Sequence, residues 1–471
     1  MNAKIIRNLS FNTVQLIINQ VAGLGIFYVL STGINKNSFG LINLSLAVLM
    51  AVFNILSMGI DQLAIKKIAS GVNVTSVLSL YIWHVLVAGL AFYGLLLAGY
   101  YLLPHTGILF GLLLLIGVGK LMIFFSSPFK QAATGLEQFR FLAYMSVISN
   151  IIRCGGLIAL MLIHDLTLQN IIIVFVGGDV AELLLSIWLF KRFTNIKLNF
   201  KWNKVNYKAL LFESLPQTGV VLITSALARF DWIFIGFMVS AIKLAEYSFA
   251  YKIFEMSTLP LLAIAPLLIP LFTRLFKQSD LPLAGLKLLV RFEMIVAAFI
   301  GLLLNIYWAP VIDGITSGKY GAVNVKTIFI LTLCMPFIYL NNFLWTMYFA
   351  KGRLKMILTS FVLTFTINVA GDVLLIPIYK NEGAAFAFLA ACMVQSIFYL
   401  KKNTIHQLSN IWQSLLICTL SAVVCGLLAK MLIPQTWLLF PFAILLYLLM
   451  LIVLKQVKLS DGVLLRKLFT R

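Results

Sequence analysis

The chain has 471 residues, of which 62% are hydrophobic and 11% charged, far below the roughly 25% charge of soluble domains, and this excludes a soluble protein. Thirty-six Lys and Arg against 15 Asp and Glu leave a formal charge of +21, which in so apolar a chain points to basic cytoplasmic loops rather than to nucleic acid. The five cysteines lie at unrelated spacings inside apolar stretches, so neither a disulfide framework nor a zinc site is expected.

A helix needs about 20 apolar residues to cross about 30 Å of hydrocarbon. Cut at its charged and Gly/Pro-marked turns, the sequence predicts about fourteen such spans: 9–30, 39–60, 78–103, 106–127, 141–163, 167–190, 212–238, 244–270, 288–309, 325–349, 356–378, 383–400, 409–432 and 437–454. The first follows Lys4 and Arg7 as a signal peptide would. Its length, its Gln15, Asn19 and Gln20 and its lack of a small-residue cleavage site instead predict a retained helix.

Polar side chains recur on single helical faces. Asn8, Asn12, Gln15 and Asn19 share a face of the first span, Thr218, Ser225 and Arg229 a face of the seventh, and Ser360, Thr364, Asn368 and Asp372 a face of the eleventh. Polar residues in a span are costly unless they meet protein or water, so these faces either line a cavity or hydrogen-bond to neighbouring helices. The third span carries His84, expected at the membrane interface, and the Pro-rich eighth (Pro260, Pro266, Pro270) is expected to kink.

Between the sixth and seventh spans runs the most polar internal stretch, 191–208, with six basic residues and no acid. It reads as a cytoplasmic linker between two six-helix lobes. The resulting division is an N-terminal lobe over 1–193, a basic linker over 194–208, a second lobe over 209–403, and two additional spans with a basic tail over 404–471. With the N-terminus in the cytoplasm, 26 Lys and Arg fall in loops and tails on that side and six on the other, so the positive-inside rule puts both termini in the cytoplasm. The longest external loop, about 310–324, leaves no room for a catalytic domain, and no phosphate loop or dinucleotide fingerprint is present. Neither catalytic residues nor a cofactor are expected.

Four basic residues remain inside spans: Lys120, Arg153, Arg229 and Lys252. Each costs about 2.5 to 3.5 kcal/mol at mid-membrane on insertion scales, which argues for use, and a cationic cleft takes an anion such as phosphate. Ion pairing is the competing account, since Arg153 and Asp179 sit at similar depth on adjacent helices and Lys252 and Glu255 stand at i, i+3. Arg229 has no acid at i±3 or i±4. Asp179 and Glu182, also at i, i+3, are candidates for a proton or sodium site, because neighbouring like charges favour holding a proton.

Pro216, Arg229-Phe-Asp231, Tyr247, Ala250-Tyr-Lys252, Leu259-Pro260 and Ile269-Pro270-Leu-Phe-Thr-Arg274 together resemble the bacterial polysaccharide flippases (O-antigen flippases, Wzx type) of the multidrug/oligosaccharidyl-lipid/polysaccharide exporter superfamily. Asn368, Asp372, Leu375-Ile-Pro377, Tyr379 and Gly383-Ala-Ala385 resemble that family's eleventh and twelfth helices, and Phe39-Gly40 with Gly59-Ile-Asp61 extends the likeness to about 400 residues. Glu246 stands where the pattern has Gly, and the stretch after Ala385 lacks the usual Thr.

The resemblance implies an all-α polytopic membrane protein, with two six-helix lobes in a V-shaped, MATE-like arrangement plus two C-terminal helices. It further implies a bacterial inner-membrane flippase that moves an undecaprenyl-pyrophosphate-linked oligosaccharide from the cytoplasmic to the periplasmic leaflet, coupled to protons or sodium, with a polysaccharide polymerase and chain-length machinery as partners. Joined to the residue reading, this assigns the pyrophosphate to Arg229, Lys120, Arg153 and Lys252, the sugars to Asn12, Gln15, Asn19, Thr218, Ser225, Asn368 and Asp372, and coupling to Asp179 and Glu182. A lipid II flippase shares the pyrophosphate lipid, but the related family carries arginines in its first helices and this chain has none there. A multidrug exporter wants an acidic cavity, and a membrane polymerase or ligase wants large periplasmic loops.

Overall fold

The computed structural model describes residues 3–102, 107–194, 196, 203–261, 268, 272, 276, 283–402, 411–433, 436–458 and 461. The side chains of Asn12, Pro216 and Ser225, residues 195 and 197–202 of the basic stretch, Pro266 and Pro270 lie outside the described residues. All regular structure among the described residues is helical.

The first seven helices are α1 (Ala3–Gly33), α2 (Lys36–Leu56), α3 (Ile60–Ala69), α4 (Val74–Leu102), α5 (Ile108–Gly135), α6 (Phe139–Leu162) and α7 (Leu168–Phe193). They are followed by α8 (Lys204–Met238), α9 (Ala241–Ser257), α10 (Leu283–Thr316), α11 (Val325–Ala350), α12 (Leu354–Lys401), α13 (Ile411–Leu432) and α14 (Thr436–Val453). Starts follow ordinary capping chemistry: the side chains of Asn35, Thr167 and Ser240 accept from the third backbone N–H beyond them and open α2, α7 and α9. Ten helices among the described residues are long and apolar enough to cross a membrane, which makes the chain a polytopic membrane protein. One of the ten, α12, contains two of the expected spans, 356–378 and 383–400, joined where Lys380 takes φ 54° and ψ −123°.

The chain divides into two compact units, Met1–Gly236 and Phe237–Arg471. The division falls within α8, not at the basic stretch 194–208, and local packing explains why. Thr218 Oγ1 on α8 donates to Met58 O at 2.7 Å, Glu213 pairs with Lys67 at 2.6 Å, and Tyr207 lies 3.0 Å from His84, so most of α8 is bonded to α2, α3 and α4.

In unit 1, α5 packs against α2, α3, α4, α6 and α7, and α6 also packs against α1 and α7. In unit 2, α11 packs against α9, α10 and α12, while α13 lies on α10 and carries α14. The two additional helices are therefore part of this unit's packing. The 317–324 turn is tied down at several points: Asp313 accepts from the Gly321 and Ala322 N–H groups at 2.6 and 2.8 Å, Trp308 Nε1 donates to Gly321 O at 2.9 Å, and Tyr320 stacks on Phe249 at 4.4 Å.

Candidate functional site

Unit 1 holds a buried charge cluster on three adjacent helices. Lys120 and Lys130 come from α5, Ser149 and Arg153 from α6, and Asp179 and Glu182 from α7. The helical repeat places Ser149 and Arg153 one turn apart, and likewise Asp179 and Glu182. Arg153 pairs with Asp179, and Lys120 Nζ lies 3.8 Å from the same carboxylate. Lys130 donates to Glu182 at 2.5 Å, and Ser149 Oγ donates to the other oxygen of that acid. Arg153 also lies over the Phe175 ring at 5.1 Å.

Two glycines bring these helices close enough for the cluster to form. A Cβ on Gly119, beside Lys120, would collide with the Asp179 carboxylate, and one on Gly178, beside Asp179, would meet Ser149 O at 2.9 Å and Arg153 Cγ at 3.1 Å. Both acids are almost fully enclosed, at 1% for Asp179 and 3% for Glu182, whereas the Lys120 side chain is 19% exposed. Lys120 and Arg153 share the single acid Asp179, which leaves that part of the cluster with one positive charge in excess. In a region of low dielectric such an excess attracts an anion strongly, and Lys120, with Lys130 close behind at 15%, is the least enclosed member of the cluster.

The other predicted residues are placed as follows. Arg229 lies with its guanidinium 4.5 Å from the Trp232 ring centre, and Lys252 pairs with Glu255 at 2.8 Å. Asn19 accepts from Asn150 on α6 at 3.0 Å, a contact between helices, while Gln15 Oε1 is buried without a hydrogen-bond partner. Thr218 is bonded to the end of α2 as described. Asn368 donates to Asp372 at 3.3 Å; both are buried in unit 2, in line with Ser360, which donates to the Tyr399 hydroxyl on the returning half of α12 at 2.6 Å. The structure thus joins Lys120, Arg153, Asp179 and Glu182 in one cluster. Arg229 lies on α8 in the same unit, and Lys252 belongs to the other unit.

Two members of the cluster were not expected from the sequence. Lys130 is assigned there to a cytoplasmic loop because the fourth span was ended at 127, ahead of Pro128. Yet α5 continues through Pro128 to Gly135, and the proline is tolerated because neighbouring helices and water can satisfy the freed backbone group. Ser149 had no charge to mark it; its place one turn before Arg153 is the only signal. His84 is buried in protein, with Nε2 2.7 Å from Leu56 O and Nδ1 3.0 Å from the Tyr207 hydroxyl. It serves as a latch between α2, α4 and α8.

Residues 5–276 match the family model described as "Polysaccharide biosynthesis protein". No protein of curated function matches the sequence. Among solved structures, the chain resembles the lipid II flippase MurJ in an inward closed conformation, with a TM-score of 0.72 at 13% identity over 94% of this chain and 98% of that one. It also resembles an inward-facing multidrug resistance MATE family transporter of the MOP superfamily, with a TM-score of 0.65 at 14% identity over 85% of this chain and 98% of that one. A MOP superfamily transporter from Pyrococcus furiosus gives a TM-score of 0.53 at 13% identity over 86% and 93% of the two chains. At such identities these likenesses establish a MurJ- and MATE-like fold and nothing about cargo.

Proposed function

We propose that the chain, which belongs to the polysaccharide biosynthesis protein family and has a MurJ- and MATE-like fold, is a flippase for an undecaprenyl-pyrophosphate-linked oligosaccharide, moving it from the cytoplasmic to the periplasmic leaflet of the bacterial inner membrane by alternating access. The observation that carries this reading is the excess cation of the α5–α7 cluster. Lys120 and Arg153 share one acid, Asp179. A pyrophosphate approaching from the exposed Lys120 side can take over part of that acid's role, with Arg153 offering a fork to two oxygens and Lys120 a point charge.

Coupling follows from the same geometry. When the anion engages Lys120 and Arg153, Asp179 loses its partners and gains a nearby negative charge, the condition under which a carboxylate takes up a proton. Glu182, held by Lys130 and Ser149, keeps the three helices in register. Arg229 is a second phosphate contact in this reading, and Gln15, Asn19, Asn368 and Asp372, with Asn12, Thr218 and Ser225, are the polar groups proposed to meet sugars. No covalent chemistry is involved.

The test is transport in proteoliposomes loaded with an undecaprenyl-pyrophosphate oligosaccharide, read by lectin access to the opposite leaflet. Movement of this lipid, lost in Lys120→Ala with unchanged protein recovery, is expected. Movement of lipid II or of a cationic dye with none of the oligosaccharide lipid would overturn the assignment.

A further inference from the structure

At the end of unit 2 that carries the 317–324 turn, α10, α11, α12 and α13 part around a cavity of about 570 Å³, within the range of small-ligand sites. The gap arises from small side chains: Ala298 and Gly301 line it from α10, and Ala422 and Gly426 from α13. Its polar groups at depth are already committed, since Asn305 Nδ2 donates to Gly301 O at 2.8 Å and to Thr332 Oγ1 at 2.7 Å. The wall that remains is chiefly apolar, with Phe329 and Phe386 both more than a third exposed.

The rim has a different character. Lys326 stands in the first turn of α11, Lys430 in the last turn of α13, and Glu382 just after the Lys380 break of α12. Lys430 Nζ donates to Asn305 O at 3.1 Å. Among the described residues neither lysine has an acid within ion-pair distance. Since α10, α11 and α13 are all long enough to span the bilayer, helix-end lysines lie where long side chains reach the headgroup level. An apolar cleft below and two lysines at headgroup depth match one amphipathic ligand with a phosphate at one end.

We infer that this cavity holds one membrane glycerophospholipid of net charge −1, its acyl chain in the cleft between α10 and α13 and its phosphate between Lys326 and Lys430. Charge complementarity selects that class: two lysines and one glutamate leave +1 at the rim, which a phosphodiester with an uncharged headgroup neutralises. A polyprenyl pyrophosphate brings more negative charge than the rim offsets and sets it against Glu382. The site contains no residue of the α5–α7 cluster, so it stands whether or not the proposed cargo is correct.

Native mass spectrometry of the full-length protein in mild detergent, titrated with dioleoylphosphatidylglycerol or dioleoylphosphatidylethanolamine, tests the inference. One equivalent of phosphatidylglycerol is expected to be retained, with the zwitterionic lipid held at least about tenfold more weakly. Lys326→Ala with Lys430→Ala should weaken phosphatidylglycerol by about tenfold or more, as expected for loss of charge-assisted hydrogen bonds, while the double Arg variant keeps it. Lys401→Ala, at the far end of the second half of α12, should change nothing.

Thr419→Trp fills the cleft with both lysines in place and should expel the lipid, which keeps the test open if the double Ala variant does not fold. Equal retention of the two phospholipids, or undiminished phosphatidylglycerol binding in Thr419→Trp, overturns the inference. So does displacement of phosphatidylglycerol by equimolar undecaprenyl pyrophosphate, since the cleft would then belong to the cargo.

Discussion

Lys130 on α5 donates to Glu182 on α7 at 2.5 Å, and Ser149 on α6 donates to the same carboxylate, so one acid ties three membrane helices together. The neighbouring acid, Asp179, does the same for Lys120 and Arg153 but has no hydroxyl donor beside it among the described residues and faces the more exposed lysine. The two carboxylates therefore differ in role: Glu182 is held on all sides, and Asp179 is the acid whose partners an incoming anion can draw away.

Removing Asp179 should accordingly cost stability as well as function. Asp179→Asn leaves Arg153 and Lys120 buried without their acid, a loss of about 3 to 5 kcal/mol by the behaviour of broken buried pairs. The compensating double variant Asp179→Asn with Arg153→Gln should recover most of it. Thermal unfolding in detergent measures both. In vesicles, Asp179→Asn with Glu182→Gln should lose dependence on an imposed proton gradient; transport that keeps its full dependence leaves ion pairing as the sole role of these acids.

Gly59 is a junction residue that stability measurements can probe. It has φ +67°, and a Cβ there would meet Thr218 N at 2.7 Å, where α8 crosses the break between α2 and α3. Gly59→Ala combines a left-handed backbone cost of about 1 to 2 kcal/mol with a collision against backbone, so it should lower stability more than Thr218→Ala, which removes one hydrogen bond worth about 1 kcal/mol. Equal effects of the two substitutions would show that the collision is relieved by a small shift of α8.

The helical class and most spans were legible in the sequence because apolar length is a strong signal, and buried cations in spans pointed to the α5–α7 cluster for the same reason. Pairing was only partly legible. Arg153 with Asp179 and Lys252 with Glu255 followed from depth and spacing. Lys130 with Glu182 did not, since a proline two residues earlier looks like a helix end and in α5 is not one. The function of His84 was hidden because both its partners, Leu56 O and the Tyr207 hydroxyl, lie far away in sequence, and one of them is a backbone atom. The merging of two spans into α12 likewise turns on one residue's backbone angles, which composition does not encode.

A pH dependence arises at Asp61, on the short α3, too short to cross a bilayer. Burial pushes its carboxyl up from the ordinary 3.8 to about 6, against the lowering effects of the Lys130 charge and the Ser57 hydrogen bond. The folded chain thus holds a proton that the unfolded chain releases, and stability falls as pH rises from about 4 through about 6. Asp61→Asn should match the parent near pH 4 and exceed it by up to about 3 kcal/mol at pH 7.5. A stability difference that does not change between those pH values would remove Asp61 as its source.

Both termini and the 194–208 linker are expected in the cytoplasm, because with Lys130 counted in α5 there remain 25 basic residues on that side against six on the other. In intact cells, Lys319→Cys, in the tethered 317–324 turn, should react with an impermeant thiol reagent, and Lys204→Cys should react only after permeabilisation. The reverse pattern would invert the topology and with it the direction of transport.

Arg229 decides how far the phosphate site extends beyond the cluster. Its guanidinium lies over the Trp232 ring at 4.5 Å, an arrangement that orients the planar fork. If it contacts the pyrophosphate, Arg229→Ala should accumulate lipid-linked oligosaccharide on the cytoplasmic leaflet at normal protein abundance. Arg229→Lys should keep part of the activity, because charge survives and the two-pronged contact does not. Trp232→Leu should then reduce transport less than Arg229→Ala, since it loosens the orientation and keeps the cation. A structural arginine predicts a different pattern, in which abundance of the Ala variant falls in proportion to its lost transport. Immunoblotting beside the leaflet assay separates the two, and an abundant Arg229→Ala protein with full export would confine the phosphate site to Lys120 and Arg153.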